Sequence, residues 1–395
     1  MKTMPYQSAT TGRTTAAGPL LQIEDLQIHY QTARGLARVV DGANLTVERN
    51  EIFGLAGESG CGKTTLVEAI LQIVRFPNRV AKGRVLFSPD ANTEPVDLMA
   101  LSPARMRRFR WEHISYVPQG SMNSLNPVMR IGDQIVDGMA AHGVPEATAR
   151  EKLPDLLERV GLEGRVARFY PHELSGGMKQ RAIIAAAISM DPELIIADEP
   201  TTALDVNVQR VILETLTSLR RDLGVAILIV SHDLPVHAQL VDRIGIMYAG
   251  QVFEVGGVRP VLKNPLQPYT QGLMRSIPAI GGIRKRLGGI AGVAPSPLDW
   301  PSGCRFHPRC PQAMEVCASV VPTLAAIQPG PRVVGEQGQA LTIEPQRFAA
   351  CHLYNESTPL EARELSHAPL HATADPPTPT LVPAPALVSD ERRAL

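Results

Sequence analysis

The stretch Gly57-Glu58-Ser59-Gly60-Cys61-Gly62-Lys63-Thr64-Thr65 matches the phosphate-binding pattern G-x-x-x-x-G-K-[ST] in full, and it leaves few folds open to the chain. An apolar run, Ile52-Phe53-Gly54-Leu55-Ala56, precedes it, and apolar residues at helical spacing follow it (Leu66, Val67, Ile70, Leu71, Val74). Strand, glycine loop and helix in that order form the context in which the pattern has physical meaning. The glycines let the backbone curl so that its N–H groups face a phosphate chain, and the helix N-terminus adds partial positive charge. Lys63 is placed to meet the β- and γ-phosphates as a point charge, and the Thr64 hydroxyl to bind Mg2+. A bound nucleoside triphosphate, ATP or GTP, is the expectation.

The chain has 395 residues, enough for two or three domains with a sizeable core. Lysine plus arginine equals aspartate plus glutamate at 39 each, so the formal charge is zero and no basic footprint for nucleic acid is evident. The longest apolar runs, such as Ala182–Met190 and Val225–Val230, are far too short to cross a bilayer, and the N-terminal residues lack the apolar core of a secretory signal. A cytosolic protein is expected, with any membrane-spanning part supplied by another chain. Of five cysteines, Cys61 lies in the phosphate loop, while Cys304, Cys310, Cys317 and Cys351 lie together near the C-terminus. In a cytosolic chain such a group reads as metal ligands sooner than as disulfides. A thiol among phosphate-binding N–H groups, as at Cys61, is expected to be acidic and oxidisable.

Composition divides the chain into segments. Residues 1–19 are small and polar and read as a flexible N-terminus. From residue 20 to about 259, short apolar runs alternate with helical patterns. Leu194–Ala197 and Ala226–Val230 are continuous and apolar, as in parallel strands covered on both faces. Helical periodicity marks Ala147–Val160 and Gly177–Met190, whereas Leu21–Tyr30, Ala37–Val40 and Ala43–Val47 alternate in the manner of a small antiparallel sheet. Residues 260–354 are rich in Pro and Gly and poor in regular pattern. Residues 355–395 repeat Pro, Ala and Thr and read as a disordered tail.

Behind the phosphate loop, Leu194-Ile195-Ile196-Ala197-Asp198-Glu199 is a strand ending in two acids. Asp198 is placed to hold Mg2+, and Glu199 to polarise an attacking water. Leu174-Ser175-Gly176-Gly177-Met178-Lys179-Gln180-Arg181 opens another helix. Ser175 is a good N-cap, but two glycines weaken a helix start and suit a place where a phosphate approaches the backbone closely.

These motifs, with Pro200-Thr201-Thr202-Ala203-Leu204-Asp205, with Gln119 after the apolar run Ile114–Val117, and with His232 after Ala226–Val230, resemble the ATP-binding subunit of ABC transporters, in the family's order across residues 20–256. The resemblance implies an α/β P-loop NTPase of ABC type. It has a parallel core sheet with helices, an N-terminal antiparallel β subdomain, and a helical subdomain inserted at about 120–190, followed by the Pro/Gly-rich extension. It also implies head-to-tail pairs, in which Ser175, Gly176 and Gly177 contact ATP held by the opposite subunit and Asp205 lies at the pair interface. Gln119 joins Thr64 and Asp198 at Mg2+ and senses the attacking water, His232 contacts the γ-phosphate beside the general base Glu199, and Tyr30 stacks on adenine.

The segment Asn264-Pro265-Leu266-Gln267-Pro268-Tyr269, then Pro301-Ser302-Gly303-Cys304-Arg305-Phe306-His307-Pro308-Arg309-Cys310-Pro311, resembles the C-terminal extension of the oligopeptide/dipeptide importer branch, which also takes up nickel and some sugars. Gln267 stands where that branch usually has histidine, and Ser124-Leu125-Asn126-Pro127 lies where it meets its permease. Some members hold a four-iron four-sulfur cluster at cysteines matching Cys304, Cys310, Cys317 and Cys351. Zn2+, with His307 or His352 among its ligands, and free reduced thiols are the alternatives. An extension that buries too little apolar surface to fix itself would need such a staple. The resemblance therefore implies an ATP-hydrolysing subunit at the cytoplasmic face of the inner membrane. It would pair with a second ATPase subunit, drive two permease subunits, depend on an external solute-binding protein, and take peptides as cargo. The alternatives are nickel, sugar or another small solute, or a soluble ATPase of this class acting on ribosomes or DNA.

Overall fold

The computed structural model describes residues 18–74, 78–90, 93–277, 289–334 and 340–354. The expectations of a flexible N-terminus, but for residues 18 and 19, and of a disordered tail at 355–395 lie outside the described residues.

The chain opens with β1 (Leu21–Thr32), β2 (Gly35–Val47) and β3 (Ile52–Ala56), passes through the glycine loop into α1 (Lys63–Ile70), and returns as β4 (Asn78–Phe87) and β5 (Val96–Asp97). β1 lies antiparallel between β2 and β4, giving a four-stranded sheet in the order β2-β1-β4-β5. The alternating N-terminal segments thus form the expected antiparallel sheet. α1 is shorter than the apolar spacing predicts, because Gln72 takes a left-handed φ of 50° and ends the helix before Val74.

Next come α2 (Pro103–Glu112), β6 (Ile114–Val117), α3 (Ile131–Ala141), α4 (Glu146–Arg159) and α5 (Gly176–Ala187). α3 and α4 bury Ile131, Ile135, Val136, Met139, Leu153 and Leu157 against each other and against α5, a helical unit within the expected 120–190 span. The chain then runs through β7 (Leu194–Asp198), α6 (Val206–Leu223), β8 (Ala226–Val230), α7 (Leu234–Leu240), β9 (Arg243–Tyr248) and β10 (Gln251–Gly257). The C-terminal part adds α8 (Val258–Lys263), α9 (Pro268–Arg275), β11 (Ala325–Ala326), the hairpin β12 (Gly330–Val334) with β13 (Ala340–Ile343), and β14 (Phe348–Ala349).

The central sheet has the order β11-β14-β10-β9-β3-β8-β7-β6, parallel from β9 to β6. Its strands alternate between two cores. Ile195, Ala197, Ile227 and Ile229 face the helical side, while Leu194, Ile196, Leu228 and Val230 face α1 and the antiparallel sheet. Successive side chains of a strand point to opposite faces, so covering both faces requires the continuous apolar runs seen here.

The described residues of 260–354 include buried aromatics that their composition does not predict. Tyr269 and Phe306 are fully buried with Tyr248 and Phe253, at ring separations of 4.4–6.3 Å, and β14 pairs with β10 at the sheet edge. Burying an aromatic side chain contributes about 1.5–3 kcal/mol, so the extension buries more apolar surface than its Pro and Gly content leads one to expect. A few large residues spaced far apart do this, which periodicity does not register.

A buried ion pair joins the extension to the sheet. Glu254 of β10 accepts hydrogen bonds from the backbone N–H groups of Leu266 (2.9 Å) and Gln267 (3.1 Å) and pairs with Arg347, which also donates to the Asn264 carbonyl (3.0 Å). Both side chains are excluded from solvent. Arg347→Ala should therefore leave a buried carboxylate without its cation and lower stability by about 3–5 kcal/mol. A wild-type midpoint in urea unfolding would show that the pair adds nothing.

Candidate functional site

The glycine loop leaves the C-terminal end of β3, a central strand. Gly57 adopts φ 153°, and a Cβ there would lie 2.1 Å from the Met247 carbonyl oxygen, so the curl at the loop entrance admits only glycine. The Lys63 ammonium folds back over the loop and donates to the carbonyls of Gly57 (2.8 Å) and Glu58 (3.1 Å). Gly250, in the β9–β10 turn, donates its N–H to the Cys61 carbonyl (2.9 Å). The Cys61 thiol is buried, and burial pushes it up despite the nearby Lys63. The thiol is thus shifted the opposite way from the acidic one expected from sequence: the lysine's pull is smaller than the cost of charging a sulfur without water.

The neighbouring strand ends bring further groups to the loop. Asp198, last residue of β7, is completely buried and hydrogen-bonded by the Thr64 hydroxyl and by the Tyr116 hydroxyl at 3.4 Å. Its Oδ1 has no hydrogen-bond partner. A buried carboxylate oxygen without a donor, beside a threonine hydroxyl, is a donor set suited to Mg2+. Tyr30, on β1, shares a hydrogen bond with the Thr65 hydroxyl at 3.1 Å, which ties the aromatic to the start of α1.

Glu199 follows Asp198 and takes φ 50°. Its Oε1 meets His232 Nδ1 at 2.6 Å and the His232 backbone N–H at 3.1 Å, and its Oε2 accepts from the hydroxyls of Thr202 (3.0 Å) and Ser231 (3.3 Å). Burial would raise this carboxyl, but the bonds from His232 and Thr202 outweigh it and hold Glu199 below the usual glutamate value. The group is thus ionised at neutral pH, the form that accepts a proton from water. Beneath the Ser231–His232 turn, His237 is wholly buried, pushed down to about 4 by desolvation, and bonded through Nε2 to the Ser231 carbonyl at 3.2 Å.

Val117 of β6 is aligned with Ala197 of β7, so the chain leaves β6 level with Asp198 and exposes Gln119 just beyond it. The remaining segments lie elsewhere. Ser175 caps α5 by accepting from Met178 N–H (3.3 Å), and no described hydrogen bond joins residues 175–177 to the phosphate loop. A Cβ on Gly177 would lie 2.4 Å from Val208, so close packing of α5 on α6 is sufficient reason for that glycine. Asp205 caps α6, accepting from the N–H groups of Asn207 (3.1 Å) and Val208 (3.0 Å), beside Val206, which is 80 % exposed.

In the extension, Gln267 caps α9 by accepting from the Tyr269 N–H, a structural task that a side-chain carbonyl performs. The fold gathers the four cysteines into one neighbourhood, with Cys304 N–H donating to the Cys317 carbonyl (2.8 Å). Burial pushes the Cys304 thiol up to about 11 and Cys310 to about 12, and raises Cys351 well above the ordinary thiol value, with other cysteines of the group adding to each. His307 Nδ1 bonds to the Cys304 carbonyl (2.8 Å) and His352 Nε2 to the Val320 carbonyl (2.9 Å). Among the described residues, no three His, Cys, Asp or Glu side chains are drawn together tightly enough to hold a metal ion.

Several residues take part whose role the sequence reading does not assign. Tyr116, Thr202, Ser231, Tyr269 and Arg309 make hydrogen bonds to the groups above. Tyr269 and Arg309 act across more than two hundred residues of sequence, a separation at which one chain offers no signal.

Comparison with known proteins gives a consistent result. Residues 40–202 match the family described as ABC transporter, and residues 253–317 match the oligopeptide/dipeptide transporter C-terminal region. The chain is 36 % identical over 345 residues to the dipeptide transport ATP-binding protein DppD of Caldanaerobacter subterraneus, covering 87 % of this chain and 99 % of that one. It is 37 % identical over 314 residues to DppD of Escherichia coli, covering 79 % and 94 %. Among solved structures, the dimeric bacterial ABC transporter cassette MJ0796 superposes with a TM-score of 0.53 at 25 % identity, over 60 % of this chain and 99 % of that one. The cassette cbiO1 of Clostridium perfringens gives 0.52 at 26 % identity, over 62 % and 91 %.

Proposed function

The chain belongs to the ATP-binding subunits of ABC transporters, in the oligopeptide/dipeptide branch, and from that premise we propose that it hydrolyses ATP to power the import of di- and oligopeptides. The observation that carries the cargo is the similarity to a dipeptide transport ATP-binding protein across 99 % of that protein's length, extension included.

Residues 57–65 bind the phosphates, with Lys63 as the cation and Tyr30 against the adenine. Thr64, Asp198 and Gln119 would hold Mg2+, and the buried, unpartnered Asp198 Oδ1 beside the Thr64 hydroxyl supports this. Held there, Mg2+ would supply charge neutralisation at the β- and γ-phosphates. Glu199 takes the proton from the attacking water, and His232 orients Glu199 and contacts the γ-phosphate. Ser175, Gly176 and Gly177 act on the nucleotide of an opposing ATPase subunit, with Asp205 and the exposed Val206 at the pair interface. That Ser175 bonds within its own helix start, with no described hydrogen bond to this chain's phosphate loop, and that Val206 is exposed support that division.

No helix among the described residues is long and apolar enough to cross a membrane. In this reading two permease subunits supply the pathway and an external binding protein delivers cargo. An apolar groove of about 200 Å3, lined by Pro118, Leu125, Ile135 and Ile183, lies beside the Gln119 segment and suits a permease segment docked at Ser124–Pro127. In this reading the chain sits peripherally on the cytoplasmic face of the inner membrane, with a second ATPase subunit as partner. The domain limits are 20–259 for the ATPase and 260–354 for the extension. Cys304, Cys310, Cys317 and Cys351 would hold a four-iron four-sulfur cluster. The donor set of four thiols in one neighbourhood supports it, although cluster binding would have to draw them closer and deprotonate them.

The cargo reading is tested by isolating the tagged chain from native membranes. A second ATPase subunit and two multi-span permeases should accompany it, and the associated binding protein should carry peptide. Ribosomal or DNA-associated proteins without a permease would overturn it. Glu199→Gln should lower ATP turnover by about 10²–10⁴-fold while ATP binding persists, and wild-type turnover would remove Glu199 from the base role. Because Glu199 is held low chiefly by His232, the acid limb of the turnover profile should lie below the ordinary glutamate value and move upward in His232→Ala. An unmoved limb would show that Glu199 does not set it. Anaerobically purified chain should contain iron and acid-labile sulfide in equal amounts, whereas iron-free protein loaded with zinc would reject the cluster.

A further inference from the structure

Two residues of the extension grip the phosphate loop. Arg309, whose side chain is 7 % exposed, forms a two-point pair with Glu58, Nη1 to Oε2 at 3.0 Å and Nη2 to Oε1 at 3.3 Å. Its other donors are used as well. Nε donates to the Ala291 carbonyl (3.0 Å), Nη1 to the Tyr248 hydroxyl (3.2 Å) and Nη2 to the Ile290 carbonyl (3.4 Å). A guanidinium saturated in this way has one place to be, so the carboxylate it holds is also fixed. From another direction, the Tyr269 hydroxyl accepts the Glu58 backbone N–H at 2.9 Å, and the Tyr269 ring is locked among Tyr248, Phe253 and Phe306. The Glu58 carbonyl in turn accepts from Lys63 and from the Cys61 N–H (3.2 Å). Side chain, N–H and carbonyl of one loop residue are therefore all tied, the first two to the extension.

The backbone around Arg309 is itself set by the cysteine-bearing turn, where Arg309 N–H donates to the Phe306 carbonyl (2.9 Å) and Cys310 N–H to the His307 carbonyl (3.2 Å). The same turn presents Arg305, which bonds the Ala249 carbonyl and Asp41 next to the Gly250 N–H that holds the Cys61 carbonyl.

Charge makes this more than a docking contact. Glu58 places a carboxylate on a loop whose ligand is a polyanion. Unpaired, it opposes the phosphates; paired with Arg309, it does not. We infer that Arg309 and Tyr269 are positioning residues for ATP. Through Glu58 they set the conformation of the phosphate loop, and Arg309 cancels the one acid within it, so the extension controls nucleotide affinity. This rests on the assignment of residues 57–65 as the phosphate site.

The test measures ATP and ADP dissociation constants of the full chain as wild type, Arg309→Gln, Glu58→Gln, the double variant and Tyr269→Phe. Arg309→Gln should weaken ATP about tenfold and ADP less, since the penalty follows phosphate charge. The double variant should regain most of that loss, because the opposing carboxylate has gone. A purely structural contact predicts no such recovery. Wild-type ATP affinity in Arg309→Gln, or losses in the double variant that simply add, would overturn the inference. Should Arg309→Gln fail to fold, the near-isosteric Tyr269→Phe decides: severalfold weaker ATP binding supports the inference and unchanged binding overturns it. Wild-type chain that bound no ATP would instead refute the phosphate site itself.

Discussion

Both faces of the central sheet are buried, and the functional groups stand where its parallel strands run out of cover. β3, β8, β7 and β6 lie side by side and point the same way, so the loop after β3, the Ser231–His232 turn after β8, the Asp198–Glu199 pair after β7 and Gln119 after β6 emerge along one edge. Ligands of open parallel sheets bind at the carboxyl ends of strands for this reason. Placing four chain segments drawn from residues 57 to 232 at one edge needs no specific contact between them. It needs only that Phe53, Ile195, Ile229 and their neighbours exclude water from both sides.

That dependence explains which parts of the molecule are legible in its sequence. The glycine loop, the strand-end acids and the LSGG segment are local, and each carries its geometry in consecutive residues. Strands with both faces covered are continuous apolar runs, which is why Leu194–Ala197 and Ala226–Val230 are visible without a structure. Interactions between distant residues leave no such mark. Nothing near Glu58 announces Arg309 or Tyr269, and nothing in Pro/Gly-rich composition announces that Tyr269 and Phe306 share a core with Tyr248 and Phe253. Cys61 shows the same limit in electrostatics: the neighbouring lysine is legible, while the burial that outweighs it is not. For Gly177 a local argument from phosphate approach is incomplete, since Val208 of the next helix already forbids a side chain there.

The extension is thus part of the ATPase body by physical criteria. Its strand β14 continues the central sheet, Glu254 and Arg347 are paired where neither reaches water, and Gln267 caps the helix that carries Tyr269. Breaking a buried pair is costly because the remaining charge has no solvent, so the start of α9 and Arg347 hold fixed positions relative to β10. Contacts of that rigidity transmit displacement, whereas a flexible appendage would absorb it.

Glu199 illustrates how the sheet and the site constrain each other. A glutamate at φ 50° carries a backbone cost of about 1–3 kcal/mol, and the Glu199 N–H is held by the Val230 carbonyl at 2.8 Å, an extension of the β7–β8 ladder by one residue. The left-handed turn sends the side chain toward Ser231 and His232 at the end of β8, where four hydrogen bonds converge on its two oxygens. Those bonds offset the backbone cost and the burial of the charge together, and they keep the carboxylate ionised and immobile. Because the shortest of them joins the His232 ring to Oε1, any ligand contact that moves this imidazole also changes the bonding of Glu199. The basicity of the proposed general base is therefore coupled to what occupies the position before the histidine.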